Sequence, residues 1–230
     1  MSRRMFVFAV VVSLCLASTL AAATRSWTGA SSANWSDSGN WSPAGTPQPT
    51  DALFFPDGAS HQTMTNDLPA GTNVGAMNFG ASYTINGNPL TLTGNLTFDP
   101  GAITMFMCNA DLKLASPVTL GKAMASQYHG AIDVNGQVLT IDAFNTLSTG
   151  PINGSGSIVI LNNLANLFGG GSFSGSVTGV ANVAGSMPNG NFSGPSLTGS
   201  GTVGTVSMAS VAPGDYTTTT STFGVLHTSR

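Results

Sequence analysis

The chain of 230 residues is short of charge before anything else. Only 7 % of its residues are Asp, Glu, Lys or Arg, and Glu is missing entirely. Typical soluble domains carry about 25 % charged residues. With six Lys and Arg in total, no basic patch can neutralise a run of phosphates, which excludes ordinary nucleic-acid binding. Long helices and coiled coils are built from Glu, Lys and Arg, so they are excluded too. Cysteine is almost as scarce. Of Cys15 and Cys108, only Cys108 lies beyond the amino-terminal apolar run, so the remaining chain can form no internal disulfide. In Met105-Phe106-Met107-Cys108 the thiol reads as a small core residue rather than a nucleophile.

What is abundant is small and uncharged. There are 27 Ser, 27 Thr, 18 Asn, 29 Gly and 12 Pro, beside 41 % apolar residues. That apolar fraction is enough for a core, so charge-driven disorder is not expected. Thr and the β-branched aliphatics favour strands, while Gly and Asn favour turns. The expected class is all-β.

Residues 1–23 read as a signal peptide. Arg3 and Arg4 precede an apolar run from Met5 to Leu20, and Ala21-Ala22-Ala23 supplies a small-residue cleavage pattern. The run is short for a membrane span. Cleavage near Ala23 implies a secreted or cell-surface product. Ser2-Arg3-Arg4 also fits a twin-arginine export signal, although the strongly apolar run favours the general secretory route. The exported chain would hold Arg25, Lys113, Lys122 and Arg230 against nine Asp, a formal net charge of −5.

Two zones follow. Residues 24–70 carry all three tryptophans (Trp27, Trp35, Trp41) and a cluster of prolines, and are expected to form an amino-terminal cap region of irregular chain or short strands. Residues 71–230 are expected to form a repeat region. In it, period-2 segments such as Tyr83-Thr84-Ile85, Leu90-Thr91-Leu92, Leu96-Thr97-Phe98, Leu112-Lys113-Leu114, Val118-Thr119-Leu120, Leu139-Thr140-Ile141 and Ile158-Val159-Ile160 alternate with Gly/Asn turns. Helical spacing appears only weakly, around Leu161–Phe168. Ile85-Asn86-Gly87-Asn88-Pro89-Leu90-Thr91-Leu92 aligns with Val134-Asn135-Gly136-Gln137-Val138-Leu139-Thr140-Ile141, and Ile152-Asn153-Gly154 starts a partial third copy. Internal repetition favours a parallel β-solenoid over a sandwich or barrel. Stacked coils would place equivalent residues directly above one another. Aligned like charges are costly there, whereas Thr, Ser and Asn can hydrogen-bond along the axis. Coils of roughly 20–25 residues are expected.

Two stretches carry a resemblance. Trp27-Thr28-Gly29, Asn34-Trp35, Asn40-Trp41, Pro47, Asp51-Ala52-Leu53-Phe54-Phe55 and Thr65-Asn66-Asp67 form one. Leu197-Thr198-Gly199-Ser200-Gly201-Thr202-Val203-Gly204 with Val211-Ala212-Pro213-Gly214-Asp215 and Phe223–Thr228 forms the other. In this order they resemble bacterial surface proteins with autotransporter-associated β-strand repeats. The resemblance implies a right-handed parallel β-helix that is exported as a passenger or surface stalk. It also implies further repeats after the Pro-Gly segment, so the chain is expected to be a fragment, the product of a truncated gene or a short secreted relative, with any carboxy-terminal anchor missing.

Candidate chemistry is sparse. His61, His129 and His227 lie far apart, and none sits in a cluster with metal-ligand spacing. No catalytic residue, cofactor or metal is assigned. The enzyme alternative is a β-helical polysaccharide lyase or hydrolase, with Asp111, Asp133 and Asp142 on successive coils and Lys113 or Lys122 as the base. The competing reading makes them solvent-facing strand and turn residues. Trp27, Trp35 and Trp41 could stack on sugars or cover the open end of the core, the second being the expected role. The leading expectation is a non-enzymatic, exported, adhesin-like segment whose partners are surface glycans or neighbouring cell surfaces.

Overall fold

The computed structural model describes residues 23–99, 105–121, 125–142, 146–148, 150–167, 169–213 and 227–228. The expected signal peptide lies outside these, apart from Ala23. Almost every element is a short strand. Thr24–Trp27 (β1) and Trp41–Ser42 (β2) open the chain, separated by a single 3-10 turn at Ser38–Asn40. Five successive turns of three strands follow. They are Ala52–Phe55 (β3), Thr63–Asn66 (β4) and Thr72–Val74 (β5); then Met77–Phe79 (β6), Tyr83–Gly87 (β7) and Leu90–Leu92 (β8). Next come Leu96–Phe98 (β9), Met105–Cys108 (β10) and Leu112–Leu114 (β11); then Val118–Leu120 (β12), Ala125–Tyr128 (β13) and Ile132–Asp133 (β14). Val138–Ile141 (β15), Thr146–Ser148 (β16) and Ile152–Asn153 (β17) make the fifth.

Each strand pairs in parallel with its equivalents in the turns before and after, not with its neighbour in sequence. This makes the molecule a three-sided parallel β-solenoid. Side one runs β3-β6-β9-β12-β15, side two β4-β7-β10-β13-β16 and side three β5-β8-β11-β14-β17. Beyond β17 the first two sides merge, because Ser155–Leu167 (β18) pairs with β15 through its first half and with β16 through its second. Ser174–Val183 (β19), Asn191–Gly199 (β21) and Val206–Pro213 (β23) continue the merged surface. Ser186–Met187 (β20), Thr202–Val203 (β22) and His227–Thr228 (β24) form a separate parallel sheet. It continues side three: the Ile152 amide donates to the Gly170 carbonyl and the Gly171 amide to Ser186.

The period-2 pattern explains the interior. Inward residues stack in columns, for example Leu53, Met77, Leu96, Leu120, Ile141 and Ile160 on side one. On side three the column is Leu90, Leu112, Ile132 and Ile152, all buried. At one corner consecutive backbones approach so closely that a Cβ on Gly150 would lie 2.0 Å from the Gly130 carbonyl oxygen. Only hydrogen fits there.

Three expectations change. The sequence repeat that aligns Ile85 with Val134 is not a structural one. Leu90–Leu92 lies on side three and Leu139–Ile141 on side one; the residues that stack on Leu90-Thr91-Leu92 are Leu112-Lys113-Leu114, one coil later. Short Leu-Thr-apolar segments recur on every side, so a sequence match slides onto the wrong side at little cost. Coil length is also not uniform. The coil from Leu53 to Met77 is the longest of those compared, that from Leu139 to Ile158 is shorter, and those from Val177 to Phe192 and from Phe192 to Val206 are shorter still. Most of the last shortening happens at the corner between sides one and two, where residues 160–163 in β18 are replaced by Gly179 alone in β19. Finally, Leu161–Leu167, with its weak helical spacing, belongs to strand β18. Pairing with β16 and β19 decides its conformation.

The amino-terminal segment pairs with the first turn. β1 pairs antiparallel with β2 and parallel with β3. Residues 33–35 run beside β4: the Trp35 amide donates to the Thr65 carbonyl, and the Thr65 amide to Ala33.

Candidate functional site

Several of the scarce charged groups tie the scaffold together. Asp51 is only 2 % exposed and pairs with the Arg25 guanidinium. Burial by itself would raise its carboxyl pKa. The amides of Gln48 and Ala23 and the Arg25 side chain outweigh that, and the net shift is below the ordinary carboxylate value. Asp67 accepts hydrogen bonds from both the amide and the hydroxyl of Ser36. Asp111 accepts from the Ala131 amide at 2.8 Å, and Asp133 from the Asn135 amide at 3.0 Å.

Of the residues in the enzyme alternative, Asp111, Lys113 and Asp133 come together on adjacent coils of side three, and Asp142 lies apart from them. Asp133 is on side three, in register with Lys113, and Asp111 immediately precedes β11 on that side. Asp142 follows β15 on side one. Lys122 lies outside the described residues. His61 Nδ1 contacts the Gly29 carbonyl at 2.6 Å, and His129 Nε2 is 3.3 Å from Gln127 Oε1. His227 sits in β24. Among the described residues, no group of three or more His, Cys, Asp or Glu side chains is placed to hold a metal ion. Cys108 is buried and unpaired, and burial pushes its thiol up to about 12, so it is fully protonated at neutral pH and a poor nucleophile.

The three tryptophans do converge. Trp27, Trp35 and Trp41 are 0, 0 and 2 % exposed. Trp41 packs edge-on to Trp27 at 5.0 Å and to Trp35 at 5.9 Å, and all three rings lie within 6.5 Å of Phe55. Trp27 Nε1 donates to the His61 carbonyl and Trp41 Nε1 to the Trp35 carbonyl. With this burial, no indole face is open for a sugar to stack on.

The site that sequence reasoning missed is on the outer surface of side two. A groove of about 300 Å³ crosses β4, β7, β10 and β13 there. Thr63, Thr84, Met107 and Gln127 stand in register across it. Gln62, Ser82, Met105 and Ala125 also line it, and among the described residues none that lines it is charged. Met105 is 60 % exposed. The available signal was the alternation of Met105-Phe106-Met107-Cys108, in which Phe106 and Cys108 point inward and the methionines therefore outward.

Comparison with known proteins adds no relative: no family model, no curated protein and no solved structure matches this chain.

Proposed function

We propose that the chain is a segment of an exported, non-catalytic surface protein that presents a rigid and uncharged solenoid face to glycans or neighbouring cells. The observation that carries this reading is the outward column on side one. Thr119, Thr140, Val159, Thr178, Ser193 and Ser207 stand in register on successive coils. The adjacent column is cross-linked by hydroxyls, with Ser176 donating to Ser157 at 2.9 Å and Thr205 to Asn191. Nine parallel strands from β3 to β23 share this surface, which at about 4.8 Å per strand gives a span of about 40 Å. A stack of this kind is stiff along its axis, because its backbone amides are tied to the next coil. The signal-like residues 1–23 and the resemblance to passenger repeats support export, and the buried Trp27–Trp35–Trp41 cluster supports a cap over the first turn.

Expression of the full chain in a bacterium with two membranes, followed by fractionation and amino-terminal sequencing, tests the reading. A processed product beginning at or beside Thr24, outside the cytoplasm, is expected. An unprocessed product retained in the cytoplasm overturns it.

A further inference from the structure

We infer that the groove on side two is a binding site for a neutral saccharide, which makes it the adhesive contact of the surface protein proposed above and rests on that reading. Its size comes first. At about 300 Å³ it lies at the small end of ligand pockets, large enough for a sugar ring or two and too small for a folded partner. Its chemistry comes second. Gln62, Thr63, Thr84 and Gln127 supply amides and hydroxyls that both donate and accept. Met105 and Met107 lay two polarisable, apolar side chains between them. A sugar ring has the complementary shape, with C–H groups on its faces and hydroxyls around its rim that also donate and accept.

Charge comes third. An ionic ligand buried in a groove without a countercharge would lose hydration and gain no ion pair, and among the described residues none that lines the groove is charged. The geometry favours an elongated ligand. Thr63, Thr84, Met107 and Gln127 are one row, one residue per coil, so its members repeat at about 4.8 Å along the solenoid axis. A short oligosaccharide lying along that axis meets in turn the hydroxyls of Thr63 and Thr84, the thioethers carried by the Met105–Cys108 strand and the amide of Gln127. The wall of this row is rigid, because the strand neighbours of its members belong to the core: Tyr83, beside Thr84, and Phe106, beside Met107, are buried, and Tyr83 Oη donates to the Pro56 carbonyl at 2.6 Å.

The test is nuclear magnetic resonance on the exported chain with its methionine methyls labelled, titrated separately with cellohexaose, maltohexaose and chitohexaose, and with a neutral hexapeptide as comparison. At least one saccharide should shift the Met105 and Met107 methyls with a Kd of about 1 mM or tighter. The buried Met64, Met77 and Met187 should not respond. Gln127→Ala and Met105→Ala should each weaken binding at least about fivefold with unchanged melting temperature, and Asn73→Ala at an exposed position of side three should leave it unchanged. No shift with any saccharide overturns the inference. So do shifts insensitive to Gln127→Ala and Met105→Ala, or binding of the hexapeptide in preference to the sugars. If the sugars fail while export and surface adhesion persist, the groove assignment falls and the surface reading stands. If the sugars bind but the chain stays unprocessed in the cytoplasm, the reverse holds.

Discussion

Phe55 and Phe79 lie face to face, their ring centroids 4.7 Å apart and their planes 7° from parallel, although they belong to different coils of the chain. They are consecutive members of one inward column on side one, and Phe98 extends the stack at 5.5 Å. One coil of chain brings each ring onto the next. Phe79 is fully buried and also touches Tyr83 and Phe106, which makes it the joint between sides one and two. Phe79→Ala should cost about 3–5 kcal/mol, and Phe79→Leu clearly less, as measured by denaturant unfolding. A loss under about 1 kcal/mol for Phe79→Ala would mean that the stack is not a packed core.

The tryptophan cluster gives a second prediction. Trp41 touches Trp27, Trp35 and Phe55 at once. Trp41→Ala should cost about 3–5 kcal/mol and expose the first turn, while saccharide affinity of the folded fraction stays unchanged. A stable variant that loses saccharide binding would instead make this cluster the sugar site.

Acid should loosen the amino-terminal segment first. The folded-state pKa of Asp51 lies below its ordinary value of 3.8. Its contribution is therefore fully present above the unfolded value, and it disappears as pH falls through the lower folded one. Asp51→Asn should remove this acid-sensitive part of the stability curve. At neutral pH it should also lower stability, because Arg25 loses its carboxylate partner and keeps only the Pro43 and Gly45 carbonyls. An unchanged acid limb in a thermal-melt series would contradict the assignment.

Alkali acts on the interior in the opposite sense. Burial raises the Cys108 thiol from 9.0 to about 12, and the Asp111 charge adds to the shift. Burial, with the Asp57 charge, raises the Tyr83 phenol from 10.0 to about 12. The folded state therefore keeps protons that the unfolded chain has already lost. Stability is intact below about pH 9 and falls between about pH 9 and 12, by up to about 1.4 kcal/mol per pH unit for each group. Cys108→Ala should flatten the onset of that fall near pH 9, and an unchanged slope would contradict the burial argument.

Much of the fold is legible in the sequence because its signals are local. Segments such as Leu90-Thr91-Leu92 and Val118-Thr119-Leu120 alternate cleanly and appear as strands with those boundaries. The shortage of charge and the wealth of Gly and Asn already favour stacked coils. Phase is not local. Leu90 stacks on Leu112 rather than on Leu139, its match in the sequence repeat, and nothing within either segment encodes that choice. It is set by corner lengths, such as the single Gly179 that replaces residues 160–163 of the preceding coil. The groove is hidden for the same reason. Thr63, Thr84, Met107 and Gln127 lie far apart in the sequence and become neighbours only through parallel register. The tryptophans, by contrast, are close in sequence, and their convergence was foreseeable; their complete burial needed the path of residues 33–35 along β4.

On the proposed reading the solenoid holds glycans without cutting them. Incubating the exported chain with insoluble neutral polysaccharides, and measuring both the protein retained on the pellet and the oligosaccharides released, tests this most directly. Retention that is lost in the Gln127→Ala and Met105→Ala variants, with no new reducing ends or unsaturated products, is the predicted result. Time-dependent release of soluble oligosaccharides that disappears on Asp111→Asn or Asp133→Asn would contradict it and make the chain an enzyme.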